Sequence, residues 1–206
     1  MQETLEVTDG APGLQALLSR AVGLDATASA RLRQLDEFVE VFVTTPFEVV
    51  ASRRAKGTVG RDGAVVGAHE LLSALRNGES QIGPPRDPNW PGALPPAAGF
   101  TLVDNVPVQV VRQLADQGQA LTRQFSGPLG PPASLLNQTV LTVTGGGHEA
   151  AIPMRMIFTC TSLSLIPGFA APMDVPRHLR VSVNGRWVRV DAPFGSVFRS
   201  TGLSLF

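Results

Sequence analysis

Val41-Phe42-Val43-Thr44-Thr45-Pro46-Phe47-Glu48-Val49-Val50-Ala51-Ser52-Arg53 aligns without a gap on Val188-Arg189-Val190-Asp191-Ala192-Pro193-Phe194-Gly195-Ser196-Val197-Phe198-Arg199-Ser200. Val41 and Val188, Val43 and Val190, Pro46 and Pro193, Phe47 and Phe194, and Val50 and Val197 are the shared identities. Each copy alternates valines as a half-buried strand does, bends at Pro-Phe, and runs out as a second strand. A supersecondary unit built twice predicts an α+β protein of two related lobes, each a bent antiparallel β-meander packed with amphipathic helices. A chance match between valine-rich strands is the competing account.

Outward from the first copy, Leu14, Leu17, Leu18, Ala21 and Val22 recur at helical spacing behind Pro12, so a helix is predicted from Ala11 to Val22. Arg31 to Leu35, Phe38 to Thr44 and Phe47 to Arg53 read as a strand meander, with Pro46 at a bend or an edge because it cannot donate to a ladder. Arg61-Asp62-Gly63 reads as a turn, and a second helix from Ala68 to Asn77 should stop at Gly78. Six prolines between Gln81 and Ala98 exclude a helix or a central strand there. This stretch, 81–98, is the expected linker between an N-terminal lobe, 1–80, and a C-terminal lobe, 99–206. Trp90 inside it either pins the linker to the body or marks a ligand site.

Outward from the second copy, Leu179, Val181 and Val183 alternate into Asn184-Gly185, and Val188 and Val190 alternate out, which is a hairpin. With Asn184-Gly185 as a two-residue loop, Val181 faces Val188, Ser182 faces Trp187 and Arg180 faces Arg189. Further upstream, Asn105 reads as a cap and Pro107 as the first turn of a helix with Val110, Val111, Leu114, Leu121 and Phe125 on one stripe. Gly118 on that stripe would admit another backbone. Ser126 to Pro132 breaks the chain, Ser134 to Gln138 reads as a short turn and Val140 to Thr144 as a strand. Ala150 to Ile166 carries two patterns, since Ile152, Met154, Met156 and Phe158 alternate as a strand would and Met156, Ile157, Cys160, Leu163 and Ser164 fit a helix; its length favours the helix, with Pro153 in the first turn.

Composition narrows function more by exclusion than by assignment. Hydrophobic residues make up 43% of the 206, the range of ordinary globular proteins, and the formal net charge is zero, so no overall field draws the molecule to nucleic acid or an anionic membrane. The charge is uneven along the chain: seven acids face three bases from Met1 to Glu40, whereas five arginines face only Asp191 from Arg177 onward. Cys160 is the only cysteine, which rules out an internal disulfide and a cysteine-built zinc site and fits a reducing, cytoplasmic setting. The N-terminus lacks the basic start and apolar stretch of a signal peptide, and Met156 to Ile166 is too short to cross a bilayer.

The candidate binding residues are Arg180, Trp187, Arg189 and His178 on the polar face of the hairpin. Two facing arginines cost up to about 1 kcal/mol, so an anion between them, with Trp187 stacking on a base, is the functional reading. The structural reading stacks Arg180 over Trp187 and turns Arg189 to Asp191 or to water. The segments from Asn105 onward also have the order of a winged helix, but Ala150 to Ile166 offers too few polar side chains for a recognition helix. Gly145-Gly146-Gly147-His148-Glu149-Ala150 has the loose G-x-G-x-x-A spacing of a dinucleotide loop but lacks the following parallel strand, so it reads as a glycine-rich turn. His148 and Glu149 are the only candidates for a dispersed active site. Cys160, among Ile157, Phe158 and Leu163, reads as an inert core thiol. No catalytic residue, metal site or cofactor is assigned.

Arg186-Trp187-Val188-Arg189-Val190-Asp191-Ala192-Pro193-Phe194-Gly195, with Ala93-Leu94-Pro95-Pro96 and Asn105-Val106-Pro107, resembles an uncharacterised family of actinobacterial proteins of about 200 residues. The resemblance implies a source that agrees with a G+C-rich coding bias, since sixteen of the seventeen basic residues are arginine and tyrosine is absent. It implies no mechanism. The expected function is a non-catalytic cytoplasmic interaction or regulatory protein that self-associates or binds a protein partner, meeting it at bent edge strands near Pro46 and Pro193. The alternatives are a binder of nucleic acid or another anionic ligand, and an enzyme near the glycine-rich turn.

Overall fold

A computed structural model describes residues 1–125 and 131–201. Contacts divide the chain into two units, Met1–Ala93 and Leu94–Phe206.

In the N-terminal unit, β1 (Glu3–Asp9), α1 (Ala11–Leu24), β2 (Ser29–Leu35), β3 (Phe38–Val43), β4 (Val50–Val59), β5 (Val65–Gly67), α2 (Ala68–Asn77) and β6 (Gln81–Gly83) follow in order. The sheet runs β5-β2-β3-β4-β1-β6 with antiparallel neighbours throughout. Leu14, Leu17, Leu18 and Ala21 of α1 and Leu71 and Leu72 of α2 are buried, and both helices pack on the sheet. Each fully buried leucine contributes about 1.5–3 kcal/mol. Pro12 stands in the first turn of α1, and Gly78 ends α2 in the left-handed region at φ 69°, as the sequence predicts.

The third predicted strand of the meander begins later than expected, at Val50 and not Phe47. Thr44 to Val49 form a loop in which Pro46 lies, and β3 and β4 are interior strands, so Pro46 marks a bend and not a sheet edge. The sheet ends on β5 and β6, both three residues long, which leaves little open ladder.

Residues 81–93 pack on the N-terminal unit and are not a free connector. β6 pairs with β1, the Arg86 N–H donates to the Val65 carbonyl, and Trp90 is buried with the Arg31 guanidinium 5.9 Å from its ring centre. Arg61 clasps the segment by donating to Asp87 at 2.8 Å and to Glu3 at 2.6 Å, and this contact holds the Asp87 carboxyl below the usual carboxylate range.

In the C-terminal unit, β7 (Thr101–Pro107) runs directly into α3 (Val108–Phe125), followed by α4 (Ala133–Asn137), β8 (Thr139–Gly145), β9 (His148–Pro153), α5 (Met154–Ser162), β10 (His178–Asn184), β11 (Trp187–Ala192) and β12 (Gly195–Ser200). β7-β10-β11-β12 form an antiparallel sheet, and β8-β9 form a separate hairpin. Asn105 and Pro107 therefore belong to a strand and not to a helix cap. Both residues suit a helix start locally, but β7 completes the ladder with β10 through Asn105↔Arg180 and Pro107↔His178. The buried stripe of α3 is Val108, Val111, Ala115 and Gly118, which shares Val111 and Gly118 with the predicted one but leaves Val110 and Leu114 half-buried and Leu121 38% exposed. Gly118 admits side chains and not backbone: a Cβ there would lie 2.6 Å from the Met154 sulfur and 2.9 Å from Phe158. The part of the predicted break at Ser126 to Pro132 that precedes residue 131 lies outside the described residues.

The predicted helix over Ala150–Ile166 divides at Pro153, with β9 before it and α5 after. The alternation of Ala150 and Ile152 belongs to the strand, whereas Met156, Ile157 and Cys160 follow the helical period. α5 is buried almost all round by α3, α4, β9 and β12.

The two stretches that align in the sequence occupy equivalent places. α1 precedes the meander β2-β3-β4 and α5 precedes the meander β10-β11-β12, and each aligned stretch is the second hairpin of its meander. The pairing is not the same within them. Val43 faces Ala51 across a long loop, while Val190 faces Val197 across the two-residue turn Pro193-Phe194. Phe194 anchors that turn by donating its N–H to the Leu165 carbonyl.

Candidate functional site

The β10–β11 hairpin turns at Gly185-Arg186, one residue beyond the predicted loop, with only Gly185 at positive φ. Glycine at the first central position suits a type II′ turn, and Asn184 joins the strand opposite Trp187. Every partner shifts by two residues, which keeps the faces and changes the pairs. Val183 faces Val188 and Val181 faces Val190, so the aliphatic face still lies on the core, where Val181 and Val188 are buried. On the other face Ser182 faces Arg189 and Arg180 faces Asp191, and the facing arginine pair does not exist. Arg189 lies 3.0 Å from the Asp191 carboxylate and 4.4 Å from the Phe100 ring centre. Trp187 is 9% exposed, whereas His178 and Arg180 at the opposite end are exposed. The hairpin thus brings His178 and Arg180 together on one strand and sets Trp187 apart from them.

His178 leads to a second feature, which the sequence reading passed over. Its neighbour Arg177 accepts a hydrogen bond on its carbonyl from the Val108 N–H, tying the start of α3 to the end of the loop 163–177. The Arg177 guanidinium donates back into that loop, to the Gly168 carbonyl at 3.0 Å and the Ala171 carbonyl at 2.8 Å. Pro167, Pro172 and Pro176 stiffen the same segment. The braced loop holds Phe169 at 92% and Met173 at 94% exposed. Large apolar groups held in water by an ordered loop mark an interaction surface more strongly than scattered exposed residues do.

Between this loop and α3 lie two adjoining hollows of about 430 and 460 Å³ that share Arg112, Gly168 and Phe169. Arg112, Asp116 and Gln119 form one helical stripe along the α3 side, beside the core-facing stripe. Thr161, Ser164 and Ile166 line the facing wall. The Arg112 guanidinium stacks 4.7 Å from the Phe169 ring centre.

Two residues beyond the end of α5, Ser164 stands at φ 54°. Its N–H donates to the Thr161 carbonyl and that of Leu165 to the Cys160 carbonyl, a Schellman pattern whose left-handed position favours glycine. Ser164→Gly should therefore raise stability by about 1 kcal/mol, read as a higher denaturant midpoint with an unchanged slope.

The other candidates separate cleanly. Gly146 and Gly147, at φ 57° and 78°, form the two-residue turn of the β8–β9 hairpin, as the glycine-rich turn reading predicts. His148 and Glu149 are exposed beside it. Burial pushes the Cys160 thiol up to about 12. At pH 8 about one thiol in ten thousand is then ionised, so iodoacetamide should label Cys160 only after unfolding. Among the described residues no three His, Cys, Asp or Glu side chains cluster to hold a metal ion, and no helix is long and apolar enough to cross a membrane.

The fold as a whole is similar to that of DNA polymerase sliding clamps. A clamp from Caulobacter crescentus shares 11% identity at a TM-score of 0.57, over 97% of this chain and 65% of that one. A clamp from Pseudomonas aeruginosa with ligand shares 10% identity at 0.55, over 100% and 66%. A putative DNA polymerase III beta subunit from Eubacterium rectale shares 9% identity at 0.56, over 100% and 66%. The chain thus spans about two thirds of the length of these structures, and identities this low establish the fold alone. No curated protein matches the sequence. Residues 1–92 match the family described as Domain of unknown function (DUF8010). Residues 95–204, more than half of the chain, match Domain of unknown function (DUF8185), and the chain belongs to that uncharacterised family.

Proposed function

We propose that the chain is a non-catalytic interaction protein on a sliding-clamp fold, and that its partner is a protein. The observation that carries this reading is the braced loop of the C-terminal unit, which presents Phe169 and Met173 to solvent. The distribution of cations supports it. Arg33 and Arg54 turn to Glu40, Lys56 to Glu37, Arg61 to Glu3 and Asp87, Arg86 to Glu70, and Arg189 to Asp191. Nucleic-acid binding needs a basic stripe that is not already neutralised, whereas the exposed polar residues of α3 are Gln109, Gln113, Asp116, Gln117, Gln119, Arg123 and Gln124, one cation beside one acid.

A salt series with labelled single- and double-stranded DNA tests the reading. We expect no binding at low salt. Steep salt-dependent binding that Arg180→Ala or Arg189→Ala abolishes would replace it with the anionic-ligand reading, for which His178 and Arg180 are the accessible members of the hairpin set. A metabolite retained by the purified chain in native mass spectrometry would replace it with an enzyme.

A further inference from the structure

The geometry points to one occupant for the groove beside α3: an extended acidic segment of a partner protein, with a carboxylate on Arg112 and an adjacent apolar side chain on Pro107, Val108 and Phe169. This inference rests on the protein-partner reading above and adds the chemistry of the contact.

The two hollows differ in character. Pro107, Val108, Gln109, Arg112, Gly168, Phe169 and Arg177 line one, so an apolar floor is flanked by two arginines and no acid. Both terminal nitrogens of Arg177 are engaged by loop carbonyls, which fixes its charge in place without neutralising it. Arg112 differs in that its guanidinium carbon lies 4.7 Å from the Phe169 ring centre, the side chain lines both hollows, and no ion pair joins it to a carboxylate of a described residue. A guanidinium pre-oriented by a ring and lacking an acid is a ready fork for a carboxylate. The other hollow holds Asp116, Gln119, Thr161 and Ser164, which suit backbone amides of an extended chain and disfavour a run of phosphates. Ser164 supports the same reading. A serine keeps the strained left-handed position where glycine would relax it, and its hydroxyl side chain lines the hollow.

The probe is a soluble serine-glycine peptide carrying a central glutamate-leucine-glutamate-phenylalanine run, with glutamine and lysine in place of glutamate as comparators. Titrated into the full chain and followed by NMR, it should shift the Arg112 Nε–H and the Ile166 methyl signals saturably. The glutamine version should bind about tenfold more weakly, and the lysine version more weakly still. Arg112→Gln should cost the glutamate peptide the same factor and leave the glutamine peptide unchanged, and Phe169→Ala should weaken both. Each variant is first shown to keep the wild-type amide spectrum away from the groove, since both side chains reach solvent. Equal affinity for the three peptides, unchanged binding to Arg112→Gln, or no shift by about 1 mM would overturn the proposal. So would an oligothymidine that moves the same signals more strongly. Peptide shifts confined to another surface would overturn the groove assignment and leave the protein-partner reading intact, whereas salt-dependent DNA binding elsewhere would remove that reading and leave the groove result to stand by itself.

Discussion

Glu40→Ala should lower the stability of the N-terminal unit by about 3–5 kcal/mol. Glu40 is 2% exposed on the sheet face away from the helices, between Arg33 on β2 and Arg54 on β4. Its carboxylate takes Arg33 at 2.6 Å and the Ser52 hydroxyl at 2.8 Å, with Arg54 at 3.6 Å. Truncation removes the carboxylate that the Arg33 guanidinium, 13% exposed and 4.7 Å from the Phe42 ring centre, meets at 2.6 Å. Glu40→Gln keeps an acceptor for Arg33 and can donate its amide N–H to the Ser52 hydroxyl, which accepts as well as donates, so it should cost only about 1–3 kcal/mol. Urea unfolding followed by Trp90 fluorescence in a Trp187→Phe background reads both values. Equal losses for the two variants would mean that charge, and not the hydrogen bonding an amide can keep, makes the interaction.

A comparable loss is expected at Gly57. A Cβ added there would stand 2.2 Å from the Glu6 carbonyl oxygen and 3.2 Å from the Val7 Cα. These are backbone atoms of β1 and cannot rotate aside, so β1 must move off β4 and take the buried Leu5 with it. Gly57→Ala should cost about 2–3 kcal/mol. Gly60 supplies the control, since a Cβ there meets the Thr4 hydroxyl, at 2.2 Å, and a side chain can turn away. Gly60→Ala should therefore cost well under half as much. The same urea experiment decides it, and a small effect at Gly57 would show that β1 can slide along β4 near the register shift at Val7 and Asp9.

Elements governed by local chemistry were the most legible in the sequence. Pro12 and Gly78 mark helix ends because their effect needs only the neighbouring turn. Gly146-Gly147 likewise makes its own hairpin. The misreadings arise where local and long-range pairing compete. Asn184-Gly185 suits both central positions of one turn, yet the turn at Gly185-Arg186 lets Arg180 face Asp191 and removes a like-charge pair. Asn105 and Pro107 suit a helix start, and the ladder with β10 claims them for a strand. The one apolar run from Ala150 held two periods in succession, with Pro153 as the hinge between them.

The groove was less legible because its walls are far apart in sequence, on α3 and on the loop after α5. One signal was present. Phe169 and Met173 lie among Pro167, Pro172 and Pro176, and a proline-rich loop has little room to bury large side chains. The brace by Arg177 and the stacking of Arg112 left no trace in the sequence, since each depends on an angle between elements that no spacing reports.

The depth of Cys160 within α5 has a practical use. A cysteine introduced at an exposed position such as Gln113 would be the sole thiol that a maleimide reaches in the native protein. Spin labels and fluorophores can then be placed one at a time on either unit with the natural residue left where it is.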